Sequence, residues 1–351
     1  FEEILEKYGD ERKTNIIEGS GTLSIEDMIV EEDMVITITH NGYIKRLASA
    51  GWKTQRRGGR GMKGAQTKEE DFVEHLFVAS THDHMLFFTD RGKCYWLKVH
   101  EIPVGSRASQ GRAVVNLIGC ESGEKVKAYV SVKEFNPNHN IMMATKNGMI
   151  KKSSLSLYSK PRKGGIYAIE IRDNDELIEA KITNGENKII LGTSSGKSIL
   201  FNETDIRSTG RKTMGVRGIR LGHSKDKLIG MIVAEEEGTV LVASSKGLGK
   251  RTNIDQYRVQ KRGGKGVITL KTTNKVGNMV AILDVIETDD LMIITNKGVM
   301  IRQSVEHIRT IGRNTQGVKL LKLDDGSKIS SITKVMDKEE KENEINEEDE
   351  I

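Results

Sequence analysis

Six times along the chain, a run of apolar residues gives way to threonine or serine, then two polar residues, then a glycine. The segments are TITHNGYIKR (37–46), FFTDRGKCYW (87–96), MATKNGMIKK (143–152), LGTSSGKSIL (191–200), VASSKGLGKR (242–251) and IITNKGVMIR (292–301). Each reads as a β-hairpin, because strand-like runs flank polar residues and a glycine free to take a positive φ. The hairpin glycines are Gly42, Gly92, Gly148, Gly196, Gly247 and Gly298, with successive gaps of 50, 56, 48, 51 and 51 residues.

A second glycine follows in register. Gly61, Gly111, Gly215, Gly266 and Gly317 each lie 19 residues after a hairpin glycine, and Gly165 lies 17 after Gly148. A third apolar run closes each unit: HLFVA (75–79), VKAYV (126–130), LIEAKI (177–182), LIGMIVA (228–234), VAILDVI (280–286) and ISSITKV (329–335). A unit of this length has room for about four short strands and cannot bury its apolar face alone, so the six are expected to stack around an axis. The predicted fold class is all-β, a six-bladed, propeller-like ring of four-stranded blades over residues 34–336. Before it, Phe1, Ile4, Leu5 and Tyr8 mark one helical face that Gly9 ends. Residues 1–9 read as the end of an upstream domain's helix, and 10–33 as a linker.

Charge separates the body from its tail. The tail DKEEKENEINEEDEI (337–351) holds nine acids and two lysines, a net of −7, while residues 1–336 carry 53 basic against 41 acidic residues, a net of +12. A basic body points to a polyanionic partner, and a disordered acidic tail is placed to compete for it. Cys94 and Cys120 are far apart and form no CxxC pattern, which suits a reduced, cytoplasmic setting. No apolar run is long enough for a transmembrane helix, so no membrane partner is expected. The chain begins with Phe1 and reads as part of a longer protein, and FEEILEKYGDER is too charged for a signal peptide.

The charge is concentrated in loops that precede the second glycine. QRRGGRG (55–61) sets three arginines among three glycines. Glycines let backbone N–H groups approach a ligand, and arginines bind phosphate oxygens in pairs. Trp52 either anchors the base of this loop or stacks on a ligand. Unit five repeats the loop as QKRGGKG (260–266), and the others hold SRASQGR (106–112), SKPRKGG (159–165), STGRKTMGVRGIR (208–220) and RTIGRNTQGVK (309–319). The candidate binding residues are Gln55, Arg56, Arg57, Gly58, Gly59, Arg60 and Gly61. Around the rest of the rim they are Lys63, Arg107, Arg112, Arg162, Lys163, Arg211, Lys212, Arg217, Lys261, Arg262, Lys265, Arg313 and Lys319. Turn chemistry explains the glycines but not a basic residue at the same place in every unit.

Positive charge repeated around a ring fits a polyanion that curves, and duplex DNA is the natural candidate. Bending 20–30 bp by 40–90° costs on the order of 1–6 kcal/mol, so a wrap needs many contacts along its path. Phosphate contacts supply them without regard to sequence. With no recognition helix or aromatic platform evident, the expectation is backbone and shape readout.

Three enzyme-like patterns fail on context. Gly59 to Gly64 matches GxGxxG without a βαβ unit. Gly192 to Ser198 resembles a P-loop but is one residue short and falls on a repeat hairpin. His82-Asp83-His84 lacks a partner cluster for a metal. A protein-binding propeller would favour an apolar or aromatic patch, against 5% aromatic residues here. A channel enzyme would need converging histidines and carboxylates that the repeats do not supply.

QRRGGRG within this six-fold repeat resembles the seven-residue box of bacterial DNA gyrase A subunits, usually QRRGGKG, with Arg60 in place of the lysine. YGDERKT (8–14) resembles the segment where the coiled coil of that family ends and its C-terminal domain begins. The likeness covers essentially the whole chain. It implies a six-bladed β-pinwheel, in which neighbouring blades exchange strands and duplex DNA wraps with positive handedness, so that the enzyme introduces negative supercoils. It also implies that the isolated domain is a monomer without cofactor. The cleaving tyrosine would then lie in the N-terminal domain of gyrase A. ATP and Mg would be used by the whole heterotetramer with the gyrase B subunit. The related topoisomerase IV ring has a degraded or absent box, and remains the alternative.

Overall fold

The computed structural model describes residues 1–9, 28–48, 73–106, 109–234, 238–297 and 299–335. Helix α1 (Glu2–Tyr8) precedes a chain of strands. Unit one supplies β1 (Asp33–Thr39), β2 (Tyr43–Ala48) and β3 (Val73–Ser80). Unit two supplies β4 (His84–Thr89), β5 (Lys93–Lys98), β6 (Arg112–Ala113), the short helix α2 (Val114–Ile118) and β7 (Val126–Val132). Unit three holds β8 (Asn140–Thr145), β9 (Met149–Ser154), β10 (Ile166–Tyr167) and β11 (Leu177–Thr183). Unit four holds β12 (Lys188–Thr193), β13 (Lys197–Asn202), β14 (Val216–Arg217) and β15 (Leu228–Ala234). Unit five holds β16 (Thr239–Ser244), β17 (Leu248–Asn253), β18 (Val267–Ile268) and β19 (Met279–Val285). Unit six holds β20 (Asp290–Thr295), β21 (Met300–Ser304), β22 (Val318–Lys319) and β23 (Ile329–Val335).

The Thr/Ser-x-x-Gly signature is the hairpin itself. In unit one the Gly42 amide donates to the Thr39 carbonyl at 2.8 Å, and the Thr39 hydroxyl accepts from the Tyr43 amide at 3.1 Å. Gly42 has φ +78°, which closes a three-residue loop with a bulge and leaves Ile38 paired with Ile44. The same hydroxyl bond forms at Thr89, Thr145, Ser244 and Thr295. Threonine or serine is therefore required because the side chain satisfies an amide that the bulge leaves over.

Five of the six sheets borrow their outermost strand. The orders are β3-β1-β2-β6, β10-β5-β4-β7, β11-β8-β9-β14, β15-β12-β13-β18 and β19-β16-β17-β22, and the sixth is β21-β20-β23 among the described residues. The short strand of each of units two to six thus completes the blade before it, as expected for a pinwheel. The innermost strands β7, β11, β15, β19 and β23 touch in succession, and β23 touches β3, which closes the ring.

The core lies between blades. One cluster joins Leu86, Phe88 and Val130 of the second sheet to Ile141, Met143 and Leu177 of the third. Another joins Ile150 of the third sheet to Ile189, Leu191 and Phe201 of the fourth. Each fully buried Leu, Ile or Phe side chain contributes about 1.5–3 kcal/mol, and that burial exists only when the neighbouring blade is present.

Candidate nucleic-acid interface

In units two to six the second glycine is where the outer edge is built. The amide of the third residue after it docks onto the hairpin glycine of the preceding unit. Val114 N–H donates to the Gly42 carbonyl, Gly218 to Gly148, Thr269 to Gly196 and Leu320 to Gly247, at 2.8–2.9 Å. The fixed spacing between the two glycines thus lets successive units clasp. At Gly215 φ is +76°, and a Cβ there would stand 2.4 Å from the Ile150 carbonyl oxygen. Only glycine lets the loop meet the strand so closely.

In units two to six the loops before these glycines lie on the outer edge, because the strands that follow them are outermost in the five four-stranded sheets. Loop four leans on unit three, where the Glu170 amide donates to the Thr213 carbonyl at 3.0 Å. Loop five receives the Arg220 amide on Gly264 at 2.8 Å, and loop six the Lys271 amide on Thr315 at 2.9 Å. A hydrogen-bonded rim therefore runs from unit three to unit six.

The predicted cations divide along this rim. Arg112, Arg162, Lys163, Lys212, Arg217, Lys261, Lys265 and Lys319 are exposed, while Arg211, Arg262 and Arg313 are half-buried. Two of these arginines are committed to structure. Arg262 donates through Nε to the Asp205 carbonyl and through Nη1 to the Arg217 carbonyl, at 3.1 and 3.2 Å. Arg313 donates through Nε to the Gln256 carbonyl and through Nη1 to the Ile268 carbonyl, at 3.2 and 2.5 Å. A groove of about 440 Å³ between loops five and six is lined by Lys197, Lys265, Val267, Ile268, Arg313 and Asn314. The box residues Gln55, Arg56, Arg57, Gly58, Gly59, Arg60 and Gly61, with Trp52, Lys63 and Arg107, lie outside the described residues, as does the acidic tail.

Two features escaped the sequence. Tyr167, in outer strand β10, is 50% exposed on the rim, with the ammonium groups of Lys93 and Lys212 each 5.7 Å from its ring centre. It is a flat aromatic surface among cations, although no stacking platform was expected. The other is a set of buried lysines, Lys45, Lys151 and Lys250, which the repeat flags as IKR, IKK and GKR just past the hairpin glycine. Burial pushes Lys151 down to about 8 with Arg211 adding to the shift, and Lys250 likewise to about 8 with Arg313.

Two of the enzyme-like patterns fall on turns, and the third, Gly59 to Gly64, lies outside the described residues. Gly192 to Ser198 forms the β12–β13 hairpin. Asp83 caps a turn by accepting from the Ser80 amide at 2.9 Å. Among the described residues, no group of three or more His, Cys, Asp or Glu side chains is placed to hold a metal, and no helix is long and apolar enough to cross a membrane.

The profile of the family described as "DNA gyrase C-terminal domain, beta-propeller" matches six segments: 33–80, 83–117, 139–184, 187–235, 238–285 and 289–336. The chain is 40% identical over 335 residues to the DNA gyrase A protein of Salmonella typhimurium, covering 95% of this chain and 38% of that protein. It is 44% identical over 342 residues to the DNA gyrase A protein of Staphylococcus epidermidis, covering 96% of this chain and again 38% of the relative. The chain thus spans about two fifths of the length of these relatives. A solved structure titled "Structure of DNA gyrase A C-terminal domain" matches with a TM-score of 0.67 and 25% identity, over 87% of this chain and all of that one. The C-terminal domain of DNA topoisomerase IV shares the fold, with a TM-score of 0.78 at 24% identity over 92% of this chain and all of that one. The six matched segments follow the six strand units of the ring, and the chain belongs to the DNA gyrase C-terminal domain, beta-propeller, family.

Proposed function

We propose that this chain binds duplex DNA without regard to sequence and wraps it with positive handedness around the basic outer edge of the ring. The observation that carries this reading is the placement of cationic loops from successive units on one hydrogen-bonded rim, from Arg162 and Lys163 through Lys212, Arg217 and Lys265 to Lys319. Phosphates following that edge meet a new cation at each blade. Each neutralised phosphate releases counterions, so affinity accumulates around the ring. The wrap presents a nearby segment of the same DNA to the cleavage gate, so that passage introduces negative supercoils. This chain acts with the N-terminal domain of gyrase A and the gyrase B subunit in a heterotetramer. Those partners supply the cleaving tyrosine and the use of ATP and Mg, in the bacterial cytoplasm. The chain alone catalyses nothing.

The first test is a salt titration on a long duplex. The reading expects log K to fall linearly with log salt at a slope of about −0.9 for each phosphate contacted. A flat salt dependence excludes DNA binding through this rim. A second reading is a ring that holds DNA and stores little chirality, in the manner of topoisomerase IV. The fold shared with the C-terminal domain of DNA topoisomerase IV allows it, while the intact QRRGGRG favours wrapping.

A further inference from the structure

The six blades are not equivalent at their outer edges. The third residue after each hairpin glycine sits at the same register position, opposite Thr37, Phe87, Met143, Leu191, Val242 and Ile293. It is Lys45, Tyr95, Lys151, Ile199, Lys250 and Ile301, so lysine alternates with residues that carry no ammonium. The three lysines are 2%, 1% and 0% exposed.

Each lysine stands beneath the loop contributed by the following unit. Lys45 Nζ donates to the carbonyls of Ser106 and Ser109 at 3.0 and 2.6 Å, on either side of residues 107–108. Lys151 Nζ donates to the Ala168 carbonyl at 2.6 Å and to the Arg211 carbonyl. Lys250 Nζ donates to the carbonyls of Gly312, at 2.5 Å, and Arg313, and to the Thr315 hydroxyl at 3.0 Å. The loops that receive these ammonium groups share one internal bond. The hydroxyls of Ser109, Thr213 and Thr315 donate to the carbonyls of Ser106, Gly210 and Gly312 at 2.9, 3.1 and 3.0 Å.

Loops three and five rest on other supports. Tyr95 turns its hydroxyl to Glu124 at 2.7 Å, and Ile199 offers only a methyl group near Gly264. Neither can hold a carbonyl from below. The lysine nitrogens are too buried to reach a phosphate themselves.

We propose that Lys45, Lys151 and Lys250 are positioning residues, whose buried ammonium groups fix loops two, four and six so that the cations there hold a set spacing along bound DNA. Loop three, exposed over residues 160–164, lacks that post and adjusts to the duplex, while loop five is tied instead by Arg262 and by backbone bonds of Gly263 and Gly264 to unit four. Among the described loops, the rim thus combines held contacts at two, four, five and six with an adaptable one at three. This rests on the DNA-binding reading above.

The test is Lys151→Met in the full chain, compared with Lys212→Ala and the double variant, by salt titration on a short duplex. Methionine keeps the length of the stem and removes the donor. The expected result is a slope shallower by about 0.9 for each phosphate contact that loop four loses. Lys212→Ala should then add little further loss in the Lys151→Met background. A lysine that acted only through long-range charge, or only through overall stability, predicts additive effects or a lowered Tm with an unchanged slope. Either result overturns the proposal. Should Lys151→Met not fold, hydrogen exchange on the wild type decides. Amides of 209–214 and 311–316 should then exchange more slowly than those of 160–164, and equal rates overturn the proposal. A wild type without salt-dependent DNA binding refutes the functional reading instead, and the exchange comparison still judges the lysines.

Discussion

Loops four and five bring similar charge to the same edge by different means. Loop five is held from within, because Arg262 bridges to the carbonyls of Asp205 and Arg217 and leaves Lys261 and Lys265 exposed. Loop four is held from below by Lys151, and Lys212 lies beside the half-exposed ring of Tyr167. The count of arginines in a loop therefore overstates what it offers to phosphate. A cation that props the loop and a cation that meets the ligand are the same in sequence and different in the fold.

The largest effect expected is one that both loops share. Gly215→Ala and Gly266→Ala place a Cβ 2.4 Å from the carbonyl oxygens of Ile150 and Ser198, at φ +76° and +68°. Backbone strain alone should cost about 1–3 kcal/mol in urea unfolding, similar for the two loops. A neutral result at one of them breaks the equivalence of the two docking sites.

The next comparison separates props from contacts. Arg262→Ala should lower stability by about 0.5–1.5 kcal/mol through its bonds to backbone carbonyls. Lys261→Ala and Lys265→Ala should leave the melt unchanged and reduce the salt slope by about 0.9 each. If all three variants behave alike, the division of labour within loop five is wrong.

A pH series extends the contrast to the lysines. In the fold, Lys151 and Lys250 lose their protons near pH 8, whereas unfolded lysine holds its proton to about 10.5. Between those values the unfolded chain binds more protons, so these groups' contribution to stability rises with pH across that window. Below pH 8 the penalty of burying both charges is fully present. The stability of wild type relative to Lys151→Met/Lys250→Met should therefore improve from pH 7.5 to 10 in thermal melts. A constant difference contradicts the burial-driven shift. The smallest effect is expected from the tail. Deleting 337–351 should tighten DNA binding at low salt and lose its influence as salt rises, because exposed charges are screened beyond about 8–10 Å at 0.1–0.15 M salt.

The ring was legible because two glycines and a threonine recur for stereochemical reasons that the sequence carries openly. Thr39, Gly42 and Gly111 each satisfy a backbone requirement, and a strand closing every unit follows from apolar runs such as LIGMIVA. The location of cationic loops at the edge followed from the same register. The partition of those cations did not, since Arg262 and Arg313 find acceptors on neighbouring units, 45 and 57 residues away. Helix α2 interrupts unit two without an N-capping side chain, and only Gly119, in the left-handed conformation, marks its end. Buried Lys151 was hidden because lysine in a short strand reads as surface, although its recurrence in alternate units distinguishes it from a solvated face.

Whether the rim wraps DNA with a handedness can be read from plasmid topology. Nicked circular DNA is mixed with the protein, sealed by ligase and freed of protein, and its linking number is read on a gel containing an intercalator. A right-handed wrap fastened by the box gives a positive shift that grows with protein and disappears when Arg56, Arg57 and Arg60 become alanine. An unchanged linking number at saturating, salt-sensitive binding would contradict wrapping by this ring.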